Sequence, residues 1–173
     1  MADRDVENAS QEVPEIPEIL EKALLFALDE AKGKMDQGAE VIPFTTLVVK
    51  DNLFIETHPG EDAEECFNFA RHTVEGARGA EAYALCYDGY VGTDSGMLDA
   101  LIAEGGVPGS DDGYAIGYLY TQEEGCEPIF EVDPVYVGEA PNFMGGLKEA
   151  SEYADEEIEE KYLEEDEVED VEE

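Results

Sequence analysis

Between Arg78 and Lys148 the chain has neither lysine nor arginine, although thirteen carboxylates fall in that stretch. Over all 173 residues, 9 Lys and Arg face 46 Asp and Glu, for a formal net charge of −37. Phosphate and nucleic-acid sites need cationic side chains or glycine-rich helix starts, and the glycine-rich segments here lie inside the base-free stretch. No Walker or dinucleotide fingerprint accompanies them. Direct nucleic-acid binding is therefore not expected. A basic protein is the partner that the charge favours, including the case in which the chain imitates a nucleic acid.

Long hydrophobic runs are also missing. None approaches the roughly 18 apolar residues of a membrane span, and residues 1–14 are acidic rather than basic-then-apolar like a signal peptide. The expectation is a cytoplasmic protein with no membrane association. Cysteine is scarce: Cys66, Cys86 and Cys126 are odd in number and widely spaced. That suits neither a disulfide framework nor a Cys-x-x-Cys metal site, and predicts buried, reduced thiols. His58 and His72 are the only histidines and lack zinc-motif spacing. Both read as surface residues. A Cys66–His72 nucleophile pair fails because six helical residues turn through about 600°, onto different faces.

Removing the ends does not remove the acidity. Residues 1–17 carry five acids and one base, residues 149–173 fifteen and one, and residues 18–148 twenty-six and seven. The reading divides the chain into a disordered acidic N-terminus (1–14), a single α+β domain (15–146), an amphipathic acidic helix (147–163) and a disordered acidic tail (164–173), whose apolar content is too small to offset ordering entropy.

Within the domain the periodicity is clear. Ile16, Ile19, Leu20, Ala23, Leu24, Ala27, Leu28, Ala31 and Met35 recur at three- and four-residue steps, predicting a helix that begins at Pro17-Glu18 and ends between Gly33 and Gly38. Residues 45–50 and 53–57 are β-branched and apolar, joined by Asp51-Asn52 as a hairpin turn. After Pro59-Gly60, the stripe Ala63, Cys66, Phe67, Ala70 and Val74 predicts a second helix running to about Arg78. Glu61, Asp62, Glu64 and Glu65 stand at its start, where carboxylates complement the helix dipole. Residues 81–87, 98–104, 114–121 and 128–137 read as strands between glycine-rich links short enough for antiparallel neighbours. The predicted fold is α+β, a mostly antiparallel sheet of about six strands in the order α-β-β-α-β-β-β-β, with both helices on one face and a C-terminal acidic helix.

Four carboxylates are candidate site residues. Asp88, Asp94 and Asp99 have no nearby base to pair with, and hard divalent cations take clustered carboxylate oxygens. They lack EF-hand spacing, so only convergence in space would make them a metal site. No other cofactor is expected. Glu104 is the catalytic candidate: it closes an apolar strand and shares its alternation face with Ala100 and Ile102. If that face is the core, its carboxyl nears a low-dielectric rim suited to a general acid. Against that stands a strand-end acid pointing into solvent. The tyrosines at 83, 87, 90, 114, 118 and 120 read as sheet packing.

With no catalytic constellation in the sequence, the expected function is a non-enzymatic accessory or interaction module binding a basic protein. The alternative is a metal-dependent or acid/base enzyme using the carboxylates of residues 88–104. A second alternative is salt adaptation without any charge-specific partner. The excess of Glu over Asp (31 to 15) and of Lys over Arg (6 to 3) places it third.

Overall fold

The computed structural model describes residues 2–5, 15–94 and 96–147. Two helices, α1 (Glu18–Asp36) and α2 (Ala63–Glu75), flank a sheet built from β1 (Ala2–Asp5), β2 (Phe44–Val49), β3 (Asn52–Thr57), β4 (Ala82–Thr93), β5 (Gly96–Gly106), β6 (Gly113–Thr121), β7 (Ile129–Phe130) and β8 (Val135–Ala140). The main path is β3-β2-β4-β5-β6-β7, with β1 on β4 and β8 on β6. Every pairing is antiparallel except that of β1, which runs parallel to Gly89–Gly92 of β4. The predicted order and class hold. Residues 97–104, short enough for either state, lie within β5.

Two differences in strand number have physical causes. Residues 128–137 were read as one strand but divide into β7 and β8, separated by Glu131 to Pro134, and both lie along the outer edge of β6. The N-terminus, read as disordered, contributes β1, whose Ala-Asp-Arg-Asp sequence has no apolar alternation to announce it. The predicted C-terminal helix and acidic tail lie outside the described residues apart from Leu147.

The core follows from alternation along β4. Ala82, Ala84 and Cys86 face α1, joining Leu20, Leu24, Ala27, Leu28 and Ala31 with Leu101 and Ala103 of β5. Tyr83, Leu85 and Tyr87 face the other way, joining Ala70 and Val74 of α2 with Ile102, Val137 and Met144. The helices thus cover opposite faces, not one. A strand whose two alternating sets are both apolar needs a layer on each side. On β4 itself the side chains toward α1 are small, Ala82, Ala84 and Cys86, and those toward α2 are large, Tyr83, Leu85 and Tyr87.

Local chemistry sets the boundaries. Asp62 caps α2 by accepting from the Glu65 N–H at 2.9 Å, while Glu65 Oε1 accepts from the Glu61 N–H at 2.7 Å. This reciprocal arrangement satisfies helix-start donors. In α2 the helix stops at Glu75 rather than reaching Arg78, and Gly76 N–H bonds the His72 carbonyl as the C-cap. The β2–β3 turn sits one residue earlier than predicted: Val49 pairs with Asn52, so Lys50 and Asp51 occupy the link with φ of 50° and 70°. Those positive angles define the mirror-type turn that matches strand twist.

Gly105 lies where β4 and β5 approach so closely that a Cβ would overlap the Tyr83 carbonyl, whereas one at Gly33, in α1, would meet nothing within 4 Å. Gly105→Ala should therefore lower stability by about 2 kcal/mol or more, and Gly33→Ala should raise it by about 0.5–1 kcal/mol. Urea unfolding monitored by circular dichroism checks both, and equal effects would contradict the close approach.

Candidate functional site

Antiparallel register determines which polar groups meet. Leu85 pairs with Glu104 and Tyr87 with Ile102, so Tyr87 and Glu104 sit diagonally on the α2 face. The Tyr87 hydroxyl donates to Glu104 Oε1 at 2.7 Å. Glu104 is only 6% exposed. The solvent-facing strand-end reading is thereby corrected: β5 continues to Gly106, and the carboxylate enters the core on the Ala100–Ile102 face.

On the α1 face of the same strands, Tyr90 pairs with Asp99 and Asp88 with Leu101. The Tyr120 hydroxyl donates to Asp88 Oδ1 at 2.7 Å. Burial pushes the Asp88 carboxyl above its ordinary range, the Tyr120 hydrogen bond opposes this, and Asp99 adds to the rise. Burial, with the nearby Asp88 charge, likewise pushes the Tyr120 hydroxyl upward. Asp94 lies apart, exposed in the turn between β4 and β5. Among the described residues no group of three or more His, Cys, Asp or Glu side chains is arranged to hold a metal ion. Asp88, Asp94 and Asp99 do not converge.

Further side chains depart from their predicted places. His58 is 3% exposed, not a surface residue; its N–H donates to the Pro43 carbonyl and its Nε2 lies 2.9 Å from Thr45 Oγ1. Burial lowers its pKa, only partly countered by Glu56. His72 is exposed, as read. Cys66 and Cys86 are buried thiols, but Cys126 is exposed in the β6–β7 loop. Burial, then the Asp88 charge, raises the Cys86 thiol further from thiolate formation.

Two concave regions occur near these groups. A cleft of about 190 Å³ is lined by Glu40, Val41, Pro43, Ala63, Cys66, Phe67, Tyr87 and Asp88. It opens on the edge of β4 in the interval between the β2 ladder, ending at Cys86, and the β1 ladder, beginning at Gly89. A smaller one, about 120 Å³, lies among Leu98, Leu119, Tyr120, Thr121, Ile129, Phe130 and Glu131.

The thirteen carboxylates of residues 79–147 do not form one face. Register places the β4–β5 turn and the β6–β7 loop at one end of the sheet, with Asp94, Glu123, Glu124 and Glu127 exposed there. Asp111 and Asp112 occupy the β5–β6 turn at the opposite end. Toward the same end stand exposed Met97 and Ile129, at 55% and 72%, while Val132, at 88%, lies in the β7–β8 link along the outer edge. Among the described residues, no helix is long and apolar enough to cross a membrane. No protein-family model, curated protein or solved structure matches the chain.

Two outcomes follow from the buried groups. A carboxyl with a raised folded-state pKa contributes stability that is full below its unfolded value and is lost as pH rises through the folded value. Asp88→Asn should therefore gain stability relative to the parent between pH 4 and pH 7, read as the difference in urea midpoints; a gain that shrinks with pH would mean that the Tyr120 bond outweighs desolvation. Native protein should also react with iodoacetamide at one thiol, Cys126, and at all three in denaturant, as counted by mass spectrometry.

Proposed function

We propose that this chain is a non-enzymatic accessory or interaction module of the cytoplasm whose partner is a basic protein. The observation that carries the reading is the sheet end where Met97 and Ile129 are exposed on the side that holds Asp94, Glu123, Glu124 and Glu127. Apolar side chains supply desolvation on contact, while surrounding carboxylates select a partner with a basic rim. The nearest bases in sequence to this end are Arg78 and Lys148, so the local field is not internally neutralised by neighbours along the chain. Such a field raises the encounter rate with a cationic protein and disfavours polyanions, nucleic acids included.

The enzyme reading draws support from one place, Asp88 beside the larger cleft. A carboxyl raised by burial suits general-acid chemistry. Yet Glu104 faces the other side of the sheet, His58 turns its Nε2 to Thr45, and the second carboxylate lining the cleft, Glu40, is exposed. The interaction reading accounts for more of the surface.

The decisive experiment uses the full chain as bait at about 50 mM salt, with release at about 500 mM, where screening shortens to a few ångströms. A basic protein should be captured, eluted by salt and lost with the Met97→Gln, Ile129→Gln double variant, whose circular dichroism spectrum should match the parent. Capture of no basic protein, or retention unaffected by salt and by the variant, would overturn the proposal.

A further inference from the structure

β3 forms one lateral edge of the sheet: among the described residues it pairs with β2 on one side and with no strand on the other. The hairpin fixes which backbone groups that edge presents. Across a two-residue turn the closing pair, Val49 with Asn52, is hydrogen-bonded, and alternation then assigns the bonded positions to Phe54 and Glu56. The His58 N–H, donating to the Pro43 carbonyl at 2.8 Å, continues the same phase. Leu53, Ile55 and Thr57 therefore direct their N–H and C=O groups outward, and among the described residues none of these groups meets a backbone partner. The edge is apolar as well as open. Phe54 is 54% exposed and Ile55 43%, while Leu53 is half-buried against the α1-side core.

The side chains along this strand are self-complementary. An antiparallel copy must set outward-pointing positions against outward-pointing positions, and the two-fold registers with that phase are unequal. Centring on Glu56 opposes like charges, centring on Ile55 sets Phe54 against the partner's Glu56, and centring on Leu53 brings only residues 52–54 into the ladder. Centring on Phe54 sets it against the partner's Phe54 at a non-bonded site, where side chains lie closest, with Leu53 against the partner's Ile55 and Asn52 against the partner's Glu56. Each pairing of Leu53 with Ile55 then exchanges both its backbone hydrogen bonds. A two-fold axis perpendicular to the sheet keeps each set on its own face: Phe54 lies across from Leu47 on the α2 side, and Leu53 across from Val48 on the α1 side.

Charge also favours a second copy at this edge. From Phe44 to Thr57 the charged residues are Lys50, Asp51 and Glu56, so the hairpin is nearly neutral, whereas the outer edge beyond β6 carries Glu131, Asp133 and Glu139 and no base. Two copies of a chain with net charge −37 repel least when they meet through the hairpin. We infer that β3 is a self-association edge, at which two copies of this chain pair β3 with β3 about a two-fold axis at Phe54 and join their sheets into one. A six-residue ladder buries less than the roughly 800 Å² per partner of a standard interface, so the dimer exchanges readily with monomer. Pro59, without an N–H, ends the ladder just past Thr57.

Analytical ultracentrifugation of the full chain at about 10–500 µM tests the edge, at about 50 mM and about 500 mM salt. A reversible monomer–dimer equilibrium is expected, tighter by at least about threefold at high salt because screening relieves the repulsion between like-charged copies. Capture of a basic protein at the sheet end has the opposite salt dependence, so the two proposals stand or fall separately. Phe54→Glu places like charges across the axis and should weaken the dimer at least about fivefold with an unchanged circular dichroism spectrum; Ile55→Lys, on another exposed side chain, should do the same. Cross-linking in a Cys126→Ser background reads the register. With oxidised glutathione, Phe54→Cys should form an inter-chain disulfide, because non-bonded partners lie about 4.5 Å apart at Cα, and Glu56→Cys should not. Monomer at every concentration, a dimer loosened by salt or indifferent to both charged variants, or cross-linking as efficient from Glu56→Cys as from Phe54→Cys would overturn the inference.

Discussion

The whole arrangement depends on β4 being apolar on both of its faces. From Ala82 to Tyr87 six consecutive side chains are buried, three toward each helix. Burying both sets removes apolar area from water at about 25 cal/mol per Å², and no single-layered packing achieves it. α1 must therefore lie on one side and α2 on the other. The strand is also long enough, at 12 residues, to carry β2 along its first part and β1 along its last, which creates the cleft between them. A change in β4 acts on both cores at once.

Much of this was legible because periodicity is a local signal. α1, α2, the β2–β3 hairpin and β4 to β6 stand close to where their apolar spacing put them. The double burial of β4 was present in the sequence too, as Ala82, Ala84 and Cys86 interleaved with Tyr83, Leu85 and Tyr87, but it reads equally as one buried face with aromatic packing on the other. β1 could not be read, since its strand character comes from Gly89–Gly92 and not from its own residues. The turn shift at Lys50-Asp51 reflects tertiary register prevailing over turn preference, since Asn52 is the better residue for positive φ. The site was less legible than the fold. Glu104 was identifiable from its alternation face, but its partner Tyr87 lies 17 positions away, and Asp88 meets Tyr120 across 32. Only strand register brings such pairs together.

The acid excess is arranged so that the fold tolerates it. Six of the nine exposed carboxylates of the base-free stretch lie in the turns at the two sheet ends, where water solvates them far from the cores, and Glu131, Asp133 and Glu139 lie along the outer edge of the sheet. Across the longer dimension of the sheet the separation exceeds the roughly 8 Å screening length of physiological salt, so the two groups repel each other weakly. The same distribution makes each end a local source of negative potential next to whatever else is exposed there. At the β4–β5 end that includes Met97 and Ile129, and at the opposite end the apolar neighbours Met144 and Ala140 are buried. Charge alone does not distinguish the two ends. The accompanying apolar surface does.

Inside the sheet the lack of bases forces a different solution. A buried carboxylate in most proteins meets lysine or arginine, but β4 to β8 contain neither. Glu104 and Asp88 instead accept from tyrosine hydroxyls at the same short distance, 2.7 Å, on opposite faces of adjoining strands. A hydroxyl satisfies an oxygen and fixes its direction while leaving the net charge in place. This gives the tyrosines on β4 and β6 a purpose beyond packing. The two bonds span 17 and 32 positions of sequence, so each also ties one strand of the sheet to another.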